Sequence, residues 1–369
     1  MHPDLRRRLG ALMVLLLLAT VLTPAQQPFG IIMPTGFFPN LEAYLESLRA
    51  QAGIPGMSAA VIQDGQVVWE RGFGFQNVAA RIRATPDTPY IVGDVSATLA
   101  AVLLLQCVEE RRLSLDEPVG AYGLGFPEPG VTLRKVLSHT STDSFVFSPE
   151  RFAQIATAIE VCAPQPYAKS VAHRLLNRLA MKDSVPGINL GTAGANIPED
   201  LFDPAELERY RRVVDRLAIP YKVDSRGRVT ATPIPSSPLS AAGGLVSTVR
   251  DLARFEAAVD SALLEPSVDS SLLLRPETLA VAWSPVAVRD GAAAPMGLGW
   301  FVQPHRAGRL VWSFGLVPNA YSSLVLKLPE RRLTFILLAN SDGLSAPFQL
   351  GSGDVTRSLF ATFFLKLAS

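Results

Sequence analysis

Partial alternation of apolar and polar positions over 56–63 (GMSAAVIQ) predicts a strand. Asp64-Gly65 behind it is a hairpin turn signal, because both residues tolerate positive φ. The chain then returns as a second strand over 66–72. From 94 to about 112 apolar residues dominate, with no Gly or Pro inside, and the pattern is helical. Asp94 at its start reads as an N-cap, since a carboxylate there can accept from the free first-turn amides. Residues from about 132 to 238 look helical and loop-rich: LRKVLSH, ERFAQIATAIE and AHRLLNRLA have helical spacing, and prolines from Pro186 to Pro238 punctuate the later part. Ser247 is placed as the N-cap of the next helix. Short β runs follow near 298 (LGWFVQ), 310 (LVWSF), 321 (YSSLVLKL) and 332 (RLTFILLAN), joined as an antiparallel sheet. A last apolar helix covers about 356–367. The first hairpin and the last strands are expected to share one sheet. That makes an α/β domain from 40–130 and 240–369, with a mostly helical insertion domain over 131–239.

The extreme N-terminus breaks this pattern. Arg6, Arg7 and Arg8 precede an apolar run from Leu9 to Leu22, and Thr23-Pro24-Ala25 follows. A basic segment, a short apolar run and small residues describe a secretory signal over 1–25. The run is shorter than the roughly 20 residues that span a bilayer. The expectation is an exported protein, periplasmic or extracellular, with no stable transmembrane segment after processing. A formal net charge of +1 announces no polyanion-binding face, so nucleic acid is not an expected partner. The two cysteines, Cys107 and Cys162, both stand in apolar helical text and read as buried packing thiols, with pairing the lesser alternative.

Six segments in order resemble the serine β-lactamase and penicillin-binding-protein superfamily, in particular its class C-like and esterase branch. They are Gly56-Met57-Ser58 with the Asp64-Gly65 hairpin, LSLDEPV from Leu113, VTLRKVLSHTS from Val131, AGGLVST from Ala242, GLGW from Gly297 and LANS from Leu338. The resemblance covers about 40–365. It implies an antiparallel sheet flanked by helices plus the helical insertion. It also implies three catalytic motifs: Ser-x-x-Lys at the start of the central helix, Tyr-x-Asn from the helical part, and Lys-x-Gly or His-x-Gly on a strand, with backbone amides as oxyanion hole.

All three motifs are degenerate in this chain. Between Tyr90-Ile91-Val92-Gly93 and Thr98-Leu99-Ala100-Ala101, the nucleophile position holds Asp94 and the lysine position Ala97. No Ser-x-x-Lys occurs anywhere, and Ser96 has Leu99 three residues on. Phe147-Ser148-Pro149 stands for Tyr-x-Asn, and Ser313-Phe314-Gly315 for the third motif, with only the glycine kept. The degenerate equivalents are therefore Asp94, Ala97, Phe147, Pro149, Ser313 and Gly315, and no catalytic residue is assigned.

The other candidates have plainer readings. Ser96 is a first-turn helix residue. His139 is hydrogen-bonded within the fold, His173 lies on a helix face, and His305 lies in a loop. No ligand spacing suggests a metal, and no cofactor is implied. The sequence thus predicts a catalytically inactive relative that keeps a cleft for a peptide, glycan or cell-wall fragment. An esterase or amidase with a displaced nucleophile, and an envelope partner-binding protein, are the alternatives.

Overall fold

The computed structural model describes residues 33–192, 201–236, 238–264, 272–289 and 291–368. The expected signal segment, 1–25, lies outside them.

In chain order, α1 (Phe37–Gln51) leads into the hairpin β1 (Gly56–Gln63) and β2 (Gln66–Asn77), then the short β3 (Ile82–Arg83) and β4 (Tyr90–Ile91). Next come α2 (Ser96–Glu109), α3 (Leu133–Leu137), α4 (Pro149–Ala153), α5 (Ile155–Cys162), α6 (Tyr167–Val171) and α7 (Pro204–Val214). Strands β5 (Tyr221–Val223), β6 (Val229–Ala231) and β7 (Val246–Ser247) precede α8 (Val249–Leu264) and α9 (Pro276–Ala282). The chain ends with β8 (Phe301–His305), β9 (Gly308–Val317), β10 (Tyr321–Leu328), β11 (Leu333–Ala339) and α10 (Leu359–Ala368).

Seven strands form one sheet in the order β3-β2-β1-β11-β10-β9-β8, every pair antiparallel. The first hairpin and the last strands therefore share a sheet, as the alternating text predicts. Their junction is β1 against β11, with Met57 opposite Ala339 and Gln63 opposite Leu333. Alternation along β1 is only partial because helices cover both faces of the sheet. Ala60 and Ile62 enter one core with α2 and α8, while Ala59 and Val61 enter a second core with α1 and α10. Helix α2 is apolar nearly all round and buried from Leu99 to Leu105, as a helix at the centre of a fold should be.

Several boundaries differ from the sequence expectation. Strand β8 starts only at Phe301, after Gly299 has taken a φ of 96°. The cap of α8 is Thr248, whose hydroxyl accepts from Asp251 N at 3.1 Å, while Ser247 belongs to β7. His305 ends β8 instead of lying in a loop. Helix α1 carries its apolar face on Phe37, Leu41, Leu45 and Leu48, a helical spacing that the sequence reading passed over.

The cysteine expectation is corrected. Cys107 of α2 and Cys162 of α5 form a disulfide across 55 residues, and no described cysteine is free. Each cysteine is surrounded by apolar text because both helices bury that face in one core. Their adjacency is a tertiary fact that neither local pattern carries. Among the described residues, no helix is long and apolar enough to cross a membrane.

Candidate functional site

The start of α2, the loop before α4 and strand β9 converge on one narrow cavity. Asp94, Ala97, Phe147, Pro149 and Ser313 all line it, with His139, Phe301 and Phe314 among the other walls. Five of the six sequence-selected positions are thus brought together from three distant segments. The sixth, Gly315, is a close-approach residue just behind. A Cβ on it would lie 2.0 Å from the Val92 carbonyl oxygen, and one on Gly93 would lie 2.9 Å from Leu316 N. Gly93 also has a φ of 58°, which favours glycine. The two glycines let the turn before α2 press directly on β9.

That approach decides where Asp94 points. It does not cap α2, contrary to the sequence expectation. Gly93–Val95 form a 3-10 turn, Val95 precedes the helix, and no side chain caps it. Asp94 Oδ2 instead accepts the backbone N–H of Leu316 at 3.2 Å. Burial pushes its carboxyl up from the ordinary value to about 7. The Leu316 N–H and Asp94's own backbone amide act the other way, while the negative Glu150 nearby adds to the rise.

The remaining groups supply little proton-transfer chemistry. Ala97 presents a methyl one turn into the helix. Ser96 is buried and donates to Gly93 O at 2.7 Å. Phe147 stacks among rings, 4.8 Å from His139, 5.3 Å from Phe314 and 5.6 Å from Phe301 between centroids. Pro149 opens α4, whose cap is Ser148, accepting from Arg151 N. His139 accepts the Ser148 N–H through Nδ1 at 2.9 Å, and burial pulls its imidazole down to about 4, so it stays neutral. It holds the α3–α4 loop, as its structural reading expects. His173 faces Glu206 at 3.5 Å on a helix surface away from this cavity. Ser313 is 5% exposed, and its Oγ lacks a hydrogen-bond partner.

A wider compartment of about 370 Å³ opens beside the narrow one and shares Asp94, Pro149 and Ala242 with it. Its walls include Glu150, Pro235, Pro238, Gly244, Leu316 and Pro318. Among the described residues, no Lys or Arg lines either compartment. No group of His, Cys, Asp and Glu suited to a metal ion occurs among the described residues. Sequence reasoning missed Leu316 and Glu150. Leu316 acts through its backbone N–H, which no residue type announces; its only textual signal is the glycine before it.

The beta-lactamase family model matches residues 41–353. The chain belongs to the beta-lactamase family. Among curated relatives of this beta-lactamase-family chain, the D-aminopeptidase of Brucella canis is 22% identical over 334 residues, covering 84% of this chain and 61% of the relative. The human mitochondrial "serine beta-lactamase-like protein LACTB" is 34% identical over 104 residues, covering 26% of this chain and 19% of the relative. The chain thus spans less than two thirds of these relatives' own length. Solved structures agree on the fold. The octameric penicillin-binding protein homologue from Pyrococcus abyssi superposes with a TM-score of 0.70 at 22% identity, covering 89% of this chain and 77% of the other. The D-alanine carboxypeptidase AmpC from Burkholderia cenocepacia superposes with a TM-score of 0.64 at 18% identity, covering 83% and 94%.

Proposed function

We propose that this beta-lactamase-family chain is an exported, non-catalytic member that binds a ligand in its cleft. The observation carrying the reading is the Asp94 carboxylate on the Leu316 N–H. In a beta-lactamase-type acyl transfer, a hydroxyl would attack from the start of the central helix and a developing oxyanion would need backbone donors. Here a carboxylate stands at the helix start and takes such a donor for itself. Ala97 offers no base. Among the described residues, Ser313 is the one hydroxyl lining the narrow cavity, and the one basic side chain in that wall is the neutral His139, whose Nδ1 is taken by Ser148. Loss of one member of a catalytic unit costs roughly 10⁴–10⁶ in rate, and further losses add little.

The named activities of the relatives, a D-aminopeptidase and a D-alanine carboxypeptidase, favour a peptide or cell-wall fragment as ligand over a glycan. The Cys107–Cys162 disulfide supports export, because such bonds persist in oxidising compartments. Fluorescent penicillin, a fluorophosphonate probe and nitrocefin test the reading together. The expected result is silence from all three with the wild-type protein. Covalent labelling or turnover that Ser313→Ala or Ser96→Ala abolishes would establish an active hydrolase instead. Export is tested by mass spectrometry of the envelope fraction, with a mature N-terminus near Gln26 expected and intact Met1 in the cytosol counting against it.

A further inference from the structure

The charge inventory of the cleft is one-sided. Asp94 lines both compartments and Glu150 lines the wider one, while among the described residues neither compartment has a Lys or Arg in its wall. His139 adds no charge, since burial keeps its imidazole neutral. Among the described residues no cation pairs with Asp94, whose side chain accepts a hydrogen bond from a backbone N–H. A carboxylate offers about four acceptor sites, so the Leu316 contact leaves capacity unused. The Ser313 hydroxyl is buried in the same cavity without a partner. A buried polar atom left unpaired costs about 1–3 kcal/mol, which makes it an acceptor or donor waiting for a group.

The walls of the narrow compartment restrict that group further. Phe147, Phe301 and Phe314 surround it, and aromatic faces attract cations through their quadrupole. A primary ammonium has three donors. A carboxylate is repelled by Asp94 and Glu150, and a trimethylammonium has no N–H to donate to Asp94 or to the Ser313 hydroxyl.

We propose that the cleft is a receptor for a primary ammonium group, which sits between Asp94 and the Ser313 hydroxyl while a neutral body lies along the proline-lined compartment. This rests on the reading of the chain as a non-catalytic binder and names the ligand class of that same site. Bound positive charge favours the ionised Asp94. Affinity therefore rises as pH increases through about 7, where Asp94 titrates. The charged group facing Asp94 is Glu150 from α4. Among the described residues, β9 and the wall residues Pro235, Pro238, Ser240, Ala242, Gly243 and Gly244 contribute no charged side chain to either compartment.

Calorimetry and protein-observed NMR at pH 8 and 150 mM salt test this on the full mature protein. The probes are butylamine, butyltrimethylammonium and butyrate, three compounds sharing one chain. The expected result is binding of butylamine at least tenfold tighter than either analogue. Asp94→Asn should weaken it at least tenfold, and Ser313→Ala and Glu150→Gln each several-fold. Melting temperatures of the three variants serve as the folding control. If Asp94→Asn fails to fold, the Ser313→Ala and Glu150→Gln losses decide alone. Equal affinity for butyltrimethylammonium, preference for butyrate, no amine binding up to 100-fold excess over a millimolar range, or amine binding untouched by these variants would each overturn the proposal. The nitrocefin and fluorophosphonate assays on the same preparation separate the two failures. Silent probes with no amine binding reject only the ligand class, and reactive probes reject the non-catalytic reading.

Discussion

Glu256 of α8 and Lys327 of β10 meet at 2.8 Å with both side chains sealed from solvent, and Asp260 one helical turn on contacts the same ammonium at 2.7 Å. Burial alone would pull the lysine down, but the two carboxylates outweigh it and hold it above its ordinary value. Removing one partner of such a group leaves an uncompensated buried charge, at a cost of about 3–5 kcal/mol. Lys327→Met should therefore lower unfolding free energy by that order in urea titrations. Adding Glu256→Leu should restore part of it, because of the two carboxylates only the less buried Asp260 is then left without its cation.

The Asp94 carboxyl gives a pH signature. Its folded pKa of about 7 lies above the ordinary value of 3.8, so the folded state prefers the protonated form. The associated stability is complete below about pH 4 and is lost as pH rises through about 7. Asp94→Asn should match the wild type near pH 4 and exceed it by up to about 4 kcal/mol at pH 8. A carbon-13 NMR titration of the Asp94 carboxyl should show a midpoint near 7. A midpoint near 4 would contradict the burial argument.

The disulfide ties the central helix to α5. Cross-links of this kind contribute about 2–5 kcal/mol, chiefly by restricting the unfolded chain. Reductant should lower the urea midpoint of the wild type by a corresponding amount and leave a Cys107→Ser, Cys162→Ser double variant unchanged. Insensitivity of the wild type to reductant would argue against the bond.

Gly315 is a packing test. Its Cβ would press on Val92 O at 2.0 Å and on Ser323 Oγ at 2.4 Å, and that hydroxyl already donates to Val92 O. Gly315→Ala must part β9 from the turn before α2. A loss of about 1–3 kcal/mol is expected in denaturant unfolding. Because the same contact positions Leu316 against Asp94, the carboxyl midpoint should move with it.

Much of the fold was readable because its signals are local and repeated. The Asp64-Gly65 turn, the β runs after 300 and the apolar text of α2 each imply their element, and their order implies the shared sheet. The site was readable as a set of positions: five of the six selected residues line one cavity. What each does there was less readable. Asp94 looked like a cap because a carboxylate at a helix start usually finds first-turn amides. It reaches a strand amide 222 positions away instead, because glycines on both sides admit it. The disulfide was missed for a similar reason: apolar surroundings describe where a thiol sits, not what lies across from it.

The pairing of β1 with β11 sets an order of events during synthesis. Strand β1 is made early, yet its partner between Leu333 and Ala339 emerges some 270 residues later. Until then the β1–β2 hairpin presents an apolar, unpaired edge, and long-range closure of this kind is slow because the connecting chain must first be ordered. A ribosome paused short of residue 333 therefore holds a hairpin with an open flank, a template for pairing with other chains. Native assembly of the sheet is completed only after the last strand is released.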